Sequence, residues 1–386
     1  MSDADSYDAI VIGVGGMGSA AAAHLAERGA DVLGLERYDV PHSMGSSHGV
    51  TRIIRLAYYE HPSYVPLLRR AYELWRDLEA DYDRQLLHVT GSVDAAPPDD
   101  PLFEGSKRSC EDHDIPHEVL SSAELGERFP GYDLPEDHMA VYQPDGGFLW
   151  PEQCIVAHVQ RAHANGAEIR ARERVQSWES TGGTGADDSD DGVVVETDRG
   201  TYEASKLVIA AGAWAAEQVD ALEGIAVPER QALGWFQPTA PEHFSPENFP
   251  VFNLQVSEGR YYGFPTFHVP GFKIGRYHHL DETVDPDEMD REPNREDEAI
   301  LRECTERYFP AAAGPTQRLA TCMFTNTPDE HFVIDRLPDH PQVSVAAGFS
   351  GHGFKFASVV GEILADLTLA GGTDHDVGMF SIDRFD

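Results

Sequence analysis

The residues that could do chemistry begin with Gly13, Gly15 and Gly18, which fall at GxGxxG spacing with Gly16 and Met17 between them. Residues 7–14 before them read as a buried parallel strand, and the alanine-rich stretch after them as a helix running to Arg28 and closed by Gly29. A second strand, residues 31–35, ends in Glu36, 18 residues beyond Gly18. A lone GxGxxG can be no more than a tight packing turn. Strand, helix and acid together make a dinucleotide-binding βαβ unit. Its glycines let the backbone approach a pyrophosphate at the helix N-terminus, and its acid accepts from a ribose hydroxyl.

Four further places carry reactive types. Arg52 and Arg55 flank two isoleucines and, on a helical turn, would share a face. Burying such a pair calls for anions, although surface ion pairs with the many acids of the chain are the plainer explanation. Gly351, Gly353 and Lys355 lie where an apolar strand gives way to the final helix, so the helix dipole and the ammonium face a common anion. Lys273 sits in an aromatic strand. The chain has only four lysines (Lys107, Lys206, Lys273 and Lys355), so one that remains has a raised chance of serving a site, though chance retention explains any single one equally. Cys322, taken by itself, reads as a buried structural thiol, because free cysteine packs as a small hydrophobe.

The intervening elements must position these groups. Residues 63–78 form an amphipathic helix whose role is packing. Residues 86–142 mix short strands with an acidic helical piece, broken at Pro97, Pro98 and Pro101. A helix over 151–167 precedes strands at 168–172 and 174–178, and the polar run 180–192 reads as a solvated hairpin tip. Residues 206–214 form a second apolar strand ending at glycine, suited to approach the same dinucleotide. From 231 to 279 aromatic strands alternate with turns, which suggests an antiparallel sheet walling a small-molecule pocket; most of those aromatics are expected to be core. The expected architecture is α/β (α+β in two domains): a Rossmann-like part at 1–85, 146–220 and 316–386, interleaved with an antiparallel-sheet part at 86–145 and 221–315.

Composition sets bounds on function. The chain has 386 residues, 41% of them hydrophobic, enough for two domains with substantial cores. Its 67 acidic and 29 basic residues give a formal net charge of −38, dispersed along the chain. Nucleic acid and anionic membranes are poor partners for such a surface, whereas a salt-rich cytosol would screen it. The four cysteines form no CxxC pair, so neither a zinc site nor a disulfide framework is expected, and no metal is assigned. No signal peptide and no apolar run of membrane-spanning length is visible, which suggests a cytoplasmic location.

Several contiguous motifs make the chain resemble the family of monomeric sarcosine oxidase and N-methyltryptophan oxidase over nearly its full length. They are Gly45-Ser-x-His48-Gly-x-Thr51-Arg52-Ile-Ile-Arg55, Tyr261-Tyr262-Gly-Phe-Pro, Lys273-Ile-Gly, Cys322-Met-x-Thr, Asp329-Glu-His-Phe, and Gly348-Phe-Ser-Gly351-His-Gly353-Phe354-Lys355-Phe. The resemblance implies FAD joined through its 8α-methyl to Cys322. It implies cofactor contacts from Gly13, Gly15, Gly16, Met17, Gly18, Glu36, Arg37, Ser46, His48, Thr51, Val175, Gly351, Gly353 and Phe354. Arg52 would lie against the flavin, Arg55 and Lys355 would hold the substrate carboxylate beside Tyr262, and Lys273 would activate oxygen. His278 is offered as the pocket histidine, in a register disturbed by one extra residue.

The implied activity is oxidation of a secondary N-methyl amino acid by dioxygen to the primary amino acid, formaldehyde and hydrogen peroxide, by a monomer. An FAD dehydrogenase, an oxidase of another secondary or cyclic amino acid such as pipecolate or proline, and a non-catalytic flavoprotein are the alternatives. Asn253 and Phe324 stand where these oxidases carry methionine and tyrosine. Asn253 and Arg276 would favour a larger or more polar substrate side chain than sarcosine's.

Overall fold

The computed structural model describes residues 5–181 and 192–385, so most of the expected hairpin tip at 180–192 lies outside the described residues. The chain has a two-domain α/β fold with mixed sheets. The first sheet is built on Asp5–Ile12, which pairs in parallel with Val32–Glu36 on one side and Thr201–Ile209 on the other. Glu168–Ala171 extends it beyond Val32–Glu36, and His340–Ala347 runs parallel to Thr201–Ile209. Alternation along Asp5–Ile12 sends Ala9 and Val11 into one core and Ile10 and Ile12 into the other. Both faces are covered, which is why the second half of the strand, residues 9–12, is continuously apolar.

Helices Gly16–Glu27, Pro151–Ala164, Val65–Tyr82 and Ala357–Ala370 pack together on the Ala9–Val11 side. The closest crossing joins Gly16–Glu27 to Ala357–Ala370. A Cβ on Gly361 there would lie 2.5 Å from the Ala20 Cβ and 2.6 Å from its carbonyl carbon.

The second sheet runs, in spatial order, Thr316–Asn326, Val227–Phe236, Phe272–Arg276, Gly259–Phe264, Val251–Val256, Ser92–Ala96, Met139–Gln143 and Glu118–Ser121. All neighbours are antiparallel except Val251–Val256 with Ser92–Ala96. Period-two alternation again sorts the side chains. Ala232, Phe236, Phe252 and Phe272 enter an aromatic core, while Leu233, Trp235, Tyr262, Phe264, Cys322 and Phe324 share the opposite face. The edge strand Thr316–Asn326 therefore belongs to this second sheet, although the sequence division grouped 316–386 with the dinucleotide part.

A third, three-stranded sheet joins Arg52–Ile54, Gly147–Leu149 and Leu87–Val89. The helical turn expected around Arg52 and Arg55 is thus a strand, favoured by the β-branched Ile53 and Ile54 and paired to a segment distant in sequence. At a period of two, residues three apart point to opposite sides. The two arginines do not share a face.

Candidate functional site

One long cavity opens at the glycine turn and runs between the first and second sheets. Gly13 adopts φ +85°, and a Cβ there would lie 2.6 Å from the Ala210 carbonyl oxygen. A Cβ on Gly18 would lie 1.8 Å from the Gly13 oxygen. Gly18 therefore packs the helix onto the turn, while Gly13, Gly15, Gly16 and Met17 line the cavity. Helix Gly16–Glu27 has neither a capping side chain nor an acid in its first turn, so its orphan amides remain for an anion.

Glu36 closes the second strand with its carboxylate fixed. Its Oε2 accepts from the Val14 amide and its Oε1 from the Tyr38 amide, both at 2.9 Å. Burial opposes ionisation, but His42 and those amides outweigh it and hold the carboxyl below its ordinary value. Arg37 is held by a fork of two bonds to Asp287 and lies over the Tyr38 and Trp214 rings. With Val175 and Trp214 they wall this end.

The other end is lined by Arg52, Tyr262, Phe264, Tyr277, Phe324, Gly351, Gly353, Phe354 and Lys355. Gly351 (φ +76°) stands where a Cβ would strike the Phe324 ring at 2.5 Å, which lets the glycine turn approach this wall closely. Arg52 is anchored by Nη2 donating to the Ser46 carbonyl at 2.6 Å and Nη1 to the Thr51 carbonyl at 2.9 Å. Its Nη2 is also 3.5 Å from Cys322 Sγ. Cys322 itself is buried behind that guanidinium rather than lining the cavity.

Lys355 is fully engaged inside the protein. Its Nζ donates to the His352 carbonyl at 2.5 Å. Burial and the nearby Arg55 bring its pKa down to about 7, against the opposing pull of Glu60 and Asp94. Arg55 lies outside the cavity lining. Its guanidinium holds both oxygens of Glu60 at 3.1 and 3.0 Å, donates to the Ala57 carbonyl, and packs over Tyr58 and Tyr59. Its Nε is 3.8 Å from Asp94. Burial disfavours the Glu60 carboxylate, but Arg55, His352 and Lys355 together bring its pKa to about 2. Arg55 and Glu60 thus sit together just behind the cavity wall that Lys355 lines.

Lys273 is buried beside Arg52, its Nζ donating to Gly49 O at 2.7 Å and to Thr51 O and Oγ1 at 3.0 Å. Thr51 and His48 reach the site from behind the lining. His48 is buried with Nε2 unpartnered, and burial together with Arg52 and Lys273 lowers its pKa to about 3. It is a neutral ring with a free nitrogen, a cradle for a hydrogen-bonding group.

His278, expected as the pocket histidine, lies beside the cavity rather than in its lining. His278 has φ +51° in the turn after Phe272–Arg276 and pairs with Glu229 at 2.9 Å and Glu330 at 3.3 Å, outside the cavity lining. Hydrogen bonds to those carboxylates raise its pKa to about 9. Tyr277 takes the cavity position, its ring 5.0 Å from Tyr262 and 5.8 Å from Phe324. Asn253 and Arg276 also lie outside the lining. Asn253 donates to Asp94 at 2.7 Å, and Arg276 donates to the His279 carbonyl at 3.2 Å. Asn253 Oδ1 also accepts from the hydroxyl of Tyr277, which does line the cavity, at 3.4 Å.

Sequence reasoning passed over Glu60, His352, Tyr277, Trp214 and Glu152. Two had a visible signal. Glu60 follows Arg55 by one helical turn and a half, and His352 stands between the two motif glycines.

Comparison with known proteins places this geometry. The model of the FAD dependent oxidoreductase family matches residues 8–367. Monomeric sarcosine oxidase from Streptomyces avermitilis is 44% identical over 380 residues, covering 97% of each chain. N-methyl-L-tryptophan oxidase from Yersinia pestis is 34% identical over 386 residues, 98% of this chain and 99% of that one. Among solved structures, the open form of NikD, an unusual amino acid oxidase essential for nikkomycin biosynthesis, is similar with a TM-score of 0.83. Its identity is 27%, over 98% of this chain and 97% of that one.

Proposed function

The chain belongs to the FAD dependent oxidoreductase family, and from that premise we propose that it is an oxidase of N-methyl amino acids. Substrate, dioxygen and water give the primary amino acid, formaldehyde and hydrogen peroxide. The observation that carries this reading is a cavity with a dinucleotide turn and Glu36 at one end and Arg52, Lys355 and an aromatic wall at the other.

The residues fit FAD. A Cβ on Gly15 would meet no protein atom within 4 Å, the helix Gly16–Glu27 offers free amides, and His48 Nε2 lacks a partner. Held by these groups, FAD would supply the acceptor for the hydride lost from the N-methyl carbon and the onward transfer of two electrons to dioxygen. Every other part of the proposal concerns the protein's own groups. Cys322 is the covalent attachment residue, and Arg52, 3.5 Å from its sulfur, is a fixed charge against the flavin. Gly13, Gly15, Gly16, Met17, Glu36, Arg37, Ser46, His48, Thr51, Val175, Gly351, Gly353 and Phe354 hold the cofactor. Gly18 serves through packing.

Arg55 and Lys355 take the substrate carboxylate by exchanging Glu60 and the His352 carbonyl for it, and Tyr262 and Tyr277 close the wall. Fixing a carboxylate at two points orients the N-methyl carbon, which is worth more than affinity alone. Lys273 supplies a buried cation where dioxygen is reduced, and removing one such preorganised charge costs on the order of 100- to 1000-fold in rate. The enzyme works as a monomer in the cytoplasm; among the described residues no helix is long and apolar enough to cross a membrane.

Acid precipitation of the purified protein tests the attachment: yellow colour stays in the pellet for the wild type and moves to the supernatant for Cys322→Ser. Peroxide release from a panel of N-methyl amino acids, assayed in high salt, tests the activity. Failure of every secondary amine to yield peroxide sinks the oxidase reading.

A further inference from the structure

The three oxygens that bind the Lys273 ammonium come from a single turn, residues 49–51. Thr51 N donates to Gly49 O at 2.9 Å across Val50, which has φ +74°. This is the rare form of the γ-turn, and a β-branched residue adopts that φ only under constraint. The constraint comes from the first turn of helix Pro151–Ala164. Oε1 of Glu152 accepts from the amides of Gly49 at 2.7 Å and Val50 at 3.1 Å. Oε2 of Glu152 is buried without a hydrogen-bond partner. Nothing in the proposed reaction uses Glu152.

We propose that Glu152 is the positioning residue for Lys273: it locks the strained turn whose three oxygens fix the Lys273 nitrogen, and it is the carboxylate set nearest to that nitrogen through the turn. Strain held in place by an external clamp beside a buried cation is the arrangement expected where pre-organisation matters. The groups facing Lys273 are Arg52, Arg318, His48, Cys322 and Glu152. Burial pushes the lysine well below its ordinary value and Arg52 pushes it further, while Glu152 and Cys322 oppose them. Glu152 is the one carboxylate in that set, and a thioether at Cys322 would leave it the one acid. The inference rests on the reading of Lys273 given above.

The scarcity of lysine makes the test direct. Holoenzyme labelled with 13Cε-lysine gives four ε-methylene resonances, assigned with Lys107→Arg, Lys206→Arg and Lys355→Met. Glu152→Gln keeps an acceptor for both amides and removes the charge. Its Lys273 titration midpoint should fall by about one pH unit or more, with Lys107 and Lys206 unmoved. The pH above which oxygen reoxidises the flavin more slowly should fall with it. Glu152→Ala, which also frees the turn, should slow reoxidation about tenfold even at low pH; where it fails to fold, Glu152→Gln carries the test alone. An unmoved Lys273 midpoint in Glu152→Gln overturns the inference. A shifted midpoint with unaltered reoxidation upholds Glu152 and instead overturns the oxygen role of Lys273.

Discussion

At the scale of single residues, the site is a set of charges already spoken for. Lys355 is 4% exposed, bound to a carbonyl rather than an acid, and its pKa lies at about 7. A lysine depressed in this way is an ammonium below pH 7 and becomes a neutral amine as the pH rises through that value. Half of the proposed carboxylate clamp is therefore lost on the alkaline side, while Arg55 stays charged. The expected outcome is weaker binding of a small carboxylate that lacks an amine, so that substrate ionisation does not enter. Followed by perturbation of the flavin absorbance, its Kd should rise about tenfold between pH 6 and pH 9 in the wild type. In Lys355→Met the profile should be flat over that range and the affinity uniformly weak. A wild-type profile without a slope would remove Lys355 from the clamp.

At the scale of elements, both ends of the cavity are set by two helices that touch at Gly361. Helix Gly16–Glu27 begins at the phosphate turn, and Ala357–Ala370 follows the short turn that carries Lys355. A Cβ at Gly361 meets the Ala20 backbone, which cannot give way as a flexible side chain would. Gly361→Ala should destabilise the protein by about 1–3 kcal/mol in denaturant unfolding, and lower flavin content as the two helices move apart. Normal stability with full flavin would show that the crossing has slack.

The βαβ unit and the final helix were legible in the sequence because their signals are local: glycine spacing, an acid at a fixed distance, and an apolar stripe. Arg52 and Arg55 were misread for the opposite reason. Their strand exists only through pairing with Gly147–Leu149, and no local pattern announces a partner so distant. The same holds for Arg55 with Asp94, brought together across sheets. That Tyr277 rather than His278 lines the cavity was not legible, because the backbone reversal at φ +51° has no glycine to mark it. Glu152 and the γ-turn at Val50 were invisible, since strain is a property of the assembled structure.

At the scale of the whole molecule, the outstanding property is charge. Many arginines are paired, several of them to more than one acid, as Arg230 is to Asp297 and Glu282 and Arg174 is to Glu217 and Asp287. With 67 acidic residues against 29 basic, the acids far outnumber the cations available to pair with them, and the fold is under self-repulsion that grows as ionic strength falls. Screening reaches about 10 Å at 0.1 M salt and about 3 Å at 1 M, so charges a helix diameter apart repel in the first case and scarcely in the second. We therefore expect the melting temperature to climb by several degrees between 0.1 M and 2 M KCl, and proteolysis at low salt to accelerate. Chloride and sulfate at equal ionic strength separate the causes. Equal stabilisation identifies screening, whereas a benefit confined to sulfate identifies exclusion of a kosmotrope from apolar surface. A melting temperature indifferent to KCl would mean that the acids are already neutralised within the fold, and the proposed salt-rich setting would lose its physical basis.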